Sequence, residues 1–138
     1  MSARLFTPEE VDALVPRLAD LMEAAMERHR QAAALQRELA GEQQRIQASG
    51  GGLIDQRDWT ARAERLDGLT IEVRGLLQEI LDLGGVTKDL ELGLVDFPAR
   101  LPEAAGDEVI NLCWKHGETR VEFWHGMDEG YAQRKPLP

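Results

Sequence analysis

The sequence holds a single cysteine, Cys113, one tyrosine, and few aromatics of any kind, 5% of 138 residues. One cysteine excludes an intramolecular disulfide, and a chain without a disulfide framework suits a reducing cytosol. No run of about 18 apolar residues occurs, so no membrane-spanning helix is expected. Met1 to Thr7 lack the apolar core of a signal peptide. A basic tail or patch is missing as well. Lys and Arg number 16 against 25 Asp and Glu, a formal net charge of −9 that is spread along the chain. Duplex nucleic acid is bound chiefly by Lys and Arg on phosphates, and anionic membranes attract the same residues, so neither is an expected partner. Together these absences predict one cytoplasmic domain over residues 1–138, a length within the common range of roughly 100–150.

What is present begins with a helix. Thr7-Pro8-Glu9-Glu10 reads as a capping box, in which the Thr7 hydroxyl and the Glu10 carboxylate satisfy each other's backbone N–H. Pro8 falls at the first helical position, where its missing N–H costs nothing. Phe6 and Val11 have the spacing of a hydrophobic staple. A seven-residue repeat then runs through Val11, Leu18, Ala25, Ala32, Leu39 and Ile46, with companions Leu14, Leu21, Arg28, Leu35 and Glu42. Arg28 and Glu42 interrupt an otherwise apolar seam. The pattern predicts a helix over 8–48, roughly 60 Å long. Pro16 predicts a bend or break near Val15.

Ser49-Gly50-Gly51-Gly52 is a turn, not a phosphate loop, since it lacks the lysine and hydroxyl that a phosphate loop requires. A second helix is expected over 55–83, capped by Asp55 or Asp58 and ended by Gly84-Gly85. Its repeat is Trp59, Leu66, Val73 and Ile80, with Leu69, Leu76 and Leu83. Matching seams about a short turn predict an antiparallel hairpin. Gly68 and Gly75 share one face and have two readings: a groove for another backbone, or tolerated surface glycines.

Residues 86–138 form a small β unit with a C-terminal tail. Leu94 to Phe97 is a strand stopped by Pro98, followed by a loop over 99–107. Val109–Trp114 and Val121–His125 flank His116-Gly117-Glu118-Thr119 as a hairpin. Placing Lys115 opposite Arg120 sets Trp114 against Val121, Leu112 against Phe123, and Ile110 against His125 on one core face. Cys113 and Trp124 then share a mixed face. The fold class expected is α+β: a long antiparallel two-helix, coiled-coil-like hairpin followed by a small antiparallel sheet of two to three strands.

Several local motifs carry a resemblance. Phe6-Thr7-x-Glu9-Glu10, Lys88-Asp89, Gly93-Leu94-Val95-Asp96-Phe97-Pro98, Leu112-Cys113-Trp114 and Trp124-His125-x-x-x-x-Gly130-Tyr131-x-x-Arg134 run through the whole chain. In these the chain resembles an uncharacterised bacterial family, domain of unknown function 2203 (DUF2203). The resemblance implies no reaction, cofactor or catalytic residue.

Chemistry has therefore to be sought residue by residue. His125 with Asp96, Asp89 and Asp128 is a set able to ligate a divalent metal, though His125-x-x-Asp128 is not a specific metal motif. Against this, a histidine at the end of an apolar strand face is commonly a hydrogen-bonded core-edge residue, and Asp beside glycine commonly caps a turn. Cys113 as a nucleophile requires a histidine within reach. The register above puts His125 on the opposite face, leaving Cys113 a small half-buried hydrophobe. Arg134 with Lys88 has the charge to clamp an anion. Trp124 needs cover, from the tail around Tyr131, a second subunit or a ligand, so Trp124, Arg134 and Tyr131 are the ligand candidates. No motif calls for a cofactor or a catalytic residue. The expected function is an oligomerising structural or protein-interaction module, a homodimer through the helical hairpin. The alternative is a metal- or small-ligand-binding protein, or an enzyme, with its site near His125 and the Asp89/Asp96 connection.

Overall fold

The computed structural model describes residues 4–48, 50 and 55–138. Helix α1 (Pro8–Ala48) starts as its capping box requires. Thr7 Oγ1 accepts from the Glu10 N–H at 3.2 Å, and Glu10 Oε1 accepts from the Thr7 N–H at 3.0 Å. Phe6 and Val11 are both buried. Of the bend or break expected near Val15, no break occurs: the helix continues through Pro16. Pro16 itself lies on the exposed side of the helix. Val11, Val15 and Leu18, on either side of it, are held in the core.

Helix α2 (Gln56–Leu83) is capped by Asp55, whose Oδ1 accepts from the Arg57 and Asp58 N–H groups at 3.0 and 3.2 Å. It ends at Gly84, which takes the left-handed conformation with φ 110°. The expected turn at Ser49-Gly50-Gly51-Gly52 falls, Gly50 apart, outside the described residues. The two helices pack along each other. The polar interruptions of the seam are paired across it, Arg28 with Glu72 at 3.3 Å and Glu42 with Arg62.

A Cβ built on Gly68 or Gly75 meets nothing within 4 Å, so among the described residues no side chain or neighbouring element approaches either one. Alanine at each position is expected to stabilise the protein by about 1 kcal/mol through helix propensity alone. Urea denaturation checks this, and a loss of stability would favour the close-approach reading.

The sheet has five antiparallel strands where two to three were expected. They run in chain order as β1 (Val86–Asp89), β2 (Leu94–Arg100), β3 (Val109–Lys115), β4 (Phe123–Gly126) and β5 (Lys135–Pro136). A short helix, α3 (Pro102–Ala105), joins β2 to β3. The outer strands β1 and β5 are 4 and 2 residues long, too short to show an alternating pattern. Strand β2 passes Pro98 because that residue faces outward beyond the end of β1. There its carbonyl accepts from the Phe6 N–H at 2.7 Å, and no ladder N–H is demanded of it.

One face of the sheet meets the helices. Val95, Phe97 and Ala99 of β2 and Ile110, Leu112 and Trp114 of β3 pack with Val11, Val15, Leu18 and Met22 of α1 and Ile80 of α2. Among the described residues no helix is long and apolar enough to cross a membrane.

The β3–β4 register differs from the expected one by a single residue. Ile110 pairs with Gly126, Asn111 with His125, Leu112 with Trp124, and Cys113 with Phe123. The cause lies in the connection. Glu118 Oε1 takes the Lys115 N–H at 2.7 Å, and Asp12 Oδ1 on α1 takes the Val121 N–H at 2.8 Å. Both groups are thereby removed from the ladder, Val121 turns into the core, and pairing resumes only at Phe123. Because strand side chains alternate, a slip of one residue exchanges the faces. His125 moves to the side of Cys113, and Trp124 moves to the helix side. There it is half-buried against the core, with Lys135 Nζ 4.6 Å from its ring centre.

Candidate metal centre

The sheet face away from the helices carries Asp96 of β2, Asn111 and Cys113 of β3, and His125 of β4, all buried. Asp96 lies directly opposite Cys113 in the ladder, and His125 directly opposite Asn111. The side chains of Asp96 and His125 meet above β3. His125 Nε2 is 3.1 Å from both carboxylate oxygens, with the two side chains 3% and 4% exposed. One donor atom each from Asp96, Cys113 and His125 lie within 4.8 Å of one another, a set that could hold a metal ion.

The imidazole's other nitrogen decides what this contact means. His125 Nδ1 is 2.8 Å from the Gly126 carbonyl, which can only accept. Nδ1 therefore carries the hydrogen, and in the neutral ring Nε2 presents a lone pair to a carboxylate that also only accepts. A proton or a cation has to lie between them. Histidines that bind metals commonly donate their remaining N–H to a backbone carbonyl in this way. The 3.1 Å separation is close to the about 3.4 Å expected for nitrogen and oxygen on one tetrahedral zinc ion.

Burial pushes the Cys113 thiol up to about 11, and the Asp96 carboxylate adds to the shift by repelling a thiolate. The nearby Arg134 guanidinium pulls the other way by charge and hydrogen bonding. A thiol so placed is a poor free nucleophile, whereas a coordinated cation removes its proton outright. At pH 8 and without metal, Cys113 is expected to react with iodoacetamide about a hundredfold more slowly in the folded protein than in urea. This follows from a shift of 9.0 to about 11. Mass spectrometry of timed samples checks it, and equal rates would contradict it.

Over the cluster lies a cavity of about 150 Å³, bordered by Lys88, Met127, Glu129 and Tyr131. The segment after β4 forms its cover. Tyr131 accepts from Lys115 Nζ at 3.2 Å, while the Arg134 guanidinium stacks 4.0 Å over Phe123 and 4.6 Å over Tyr131. Arg134 also pairs with Glu118 at 3.3 Å.

A family model described as "Uncharacterized conserved protein (DUF2203)" matches residues 4–137. The chain belongs to that family. No curated protein and no solved structure matches it. Membership of DUF2203 brings no assigned activity, so the reading of the site rests on its geometry.

The remaining candidates fall elsewhere. Asp89 closes the β1–β2 turn, its Oδ1 accepting from the Glu91 and Leu92 N–H groups at 2.9 and 2.8 Å. Asp128 is exposed in the turn after β4, outside the cluster. Trp124 faces the core, on the other side of the sheet. Tyr131 borders the cavity, and Arg134 braces its cover. Cys113 is the member that the sequence reading set aside, and the correct register would have recovered it. A larger cleft of about 670 Å³ lies between the start of α1 and the Arg120–Glu122 segment. There Asp12 holds Val121 and Arg120 pairs with Glu122.

Proposed function

We propose that this protein binds a divalent transition-metal ion, zinc by its donor set, through Asp96, Cys113 and His125. The observation that carries the reading is the Gly126 carbonyl on His125 Nδ1, which leaves Nε2 to face the acceptor atoms of Asp96 beside a thiol. Nitrogen, sulfur and oxygen donors on three rigid strands suit zinc better than the all-oxygen shells that calcium and magnesium require. The protein titrated with Co(II) is expected to take up one ion and develop a thiolate-to-cobalt charge-transfer band. Cys113→Ser should lose that band. Stoichiometric binding without the band would exclude Cys113 as a ligand, and no binding would end the metal reading.

The helical hairpin supports a second reading, a homodimer of packed hairpins. Along α2 only Leu69 and Ile80 are fully buried, while Ile71 on the outer side is 66% exposed. Pairing with a second copy would close that face into a four-helix bundle. Sedimentation equilibrium at micromolar concentration is expected to give about 31 kDa, twice the chain mass of 15.4 kDa. A single 15.4 kDa species would contradict it.

A further inference from the structure

Zinc sites with four protein ligands are closed and structural, whereas those with three keep a position for water or substrate. Among the described residues no fourth His, Cys, Asp or Glu joins Asp96, Cys113 and His125. Glu129 is the other carboxylate on the cavity, and its Oε1 already accepts from the Gly126 N–H and from Lys135 Nζ, both at 2.7 Å. The metal's remaining position therefore faces the cavity of about 150 Å³. That space equals about five waters, or one ligand of a few heavy atoms.

Charge narrows the ligand further. A dication balanced by the Asp96 carboxylate and a Cys113 thiolate is neutral. Lys88 on the cavity wall has no ion-pair partner among the described residues, so one positive charge is left over. Lys115 and Lys135, by contrast, are engaged by Tyr131 and Glu129.

We propose that the fourth coordination position is open and takes a small monoanionic ligand, a carboxylate of the size of formate or acetate, with Lys88 meeting its charge. The inference rests on the metal reading and deepens it: the site binds a ligand and is not merely a structural staple. A monoanion fits both the leftover charge and the volume. A phosphate dianion exceeds the first, and a nucleotide far exceeds the second.

The test uses the full-length Co(II)-loaded protein, with azide, formate and acetate as probes and neutral imidazole as the control. Each anion is expected to change the cobalt d–d spectrum saturably. Lys88→Ala should weaken the anions about tenfold, the size of one charge-assisted hydrogen bond. Imidazole affinity should change far less. A cobalt spectrum indifferent to all four probes would show a closed site and overturn this inference while leaving metal binding intact. Equal weakening of imidazole and anions by Lys88→Ala would overturn the role of Lys88. Failure of cobalt to bind at all overturns the metal reading and this inference with it.

Discussion

Zinc at a thousandfold excess over its dissociation constant is expected to raise the melting temperature by about 12 °C, and Asp96→Asn is expected to abolish the rise. Ligand at that excess adds about 4 kcal/mol to stability, and a domain of this size gains about 3 °C per kcal/mol. Differential scanning calorimetry with and without zinc reads the effect. A zinc response retained in Asp96→Asn would contradict the assignment.

Gly84→Ala carries the second large effect, and it concerns how the helices are joined to the sheet. Gly84 has φ 110°, and a Cβ there would run into the ring of Phe6. Phe6 is itself fixed from two sides. Its N–H bonds the Pro98 carbonyl at 2.7 Å, and its ring meets Phe97 edge-on at 5.2 Å between centroids. Neither residue can step aside cheaply, so backbone strain and overpacking add. The expected cost is about 3 kcal/mol, or roughly 10 °C in melting temperature. Phe6→Ala alone should also destabilise by about 3 kcal/mol. The double variant should cost at least 1 kcal/mol less than the sum, because removing the ring relieves the alanine. Additive losses would show that strain at Gly84, not contact with Phe6, sets the cost.

The contrast between the helices and the sheet shows where local sequence carries structural information. Thr7, Glu10 and Phe6 act within one short stretch of chain, so the start of α1 is readable from the five residues Phe6 to Glu10. The seam positions of both helices repeat over many turns, and even the interruptions at Arg28 and Glu42 have their partners on the facing helix. The sheet is different in kind. Its register depends on Asp12, which lies 109 residues from the Val121 N–H that it captures. No hairpin rule contains such a contact. Missing it placed Cys113 and His125 on opposite faces, and this separation hid the cluster. His125 and Asp96 were legible as chemistry-bearing residues, while their shared site needed a third strand in the right phase. Asp89 shows the reverse: its glycine-rich setting pointed to a turn cap, and its carboxylate occupies that role.

The metal assignment is most directly tested by zinc K-edge X-ray absorption of the loaded protein. One sulfur scatterer at about 2.3 Å is predicted, accompanied by nitrogen and oxygen scatterers at about 2.0–2.2 Å. The sulfur should vanish in Cys113→Ser. A shell of oxygen and nitrogen alone in the unaltered protein would mean that any bound zinc sits elsewhere, and that Asp96, Cys113 and His125 are not its site.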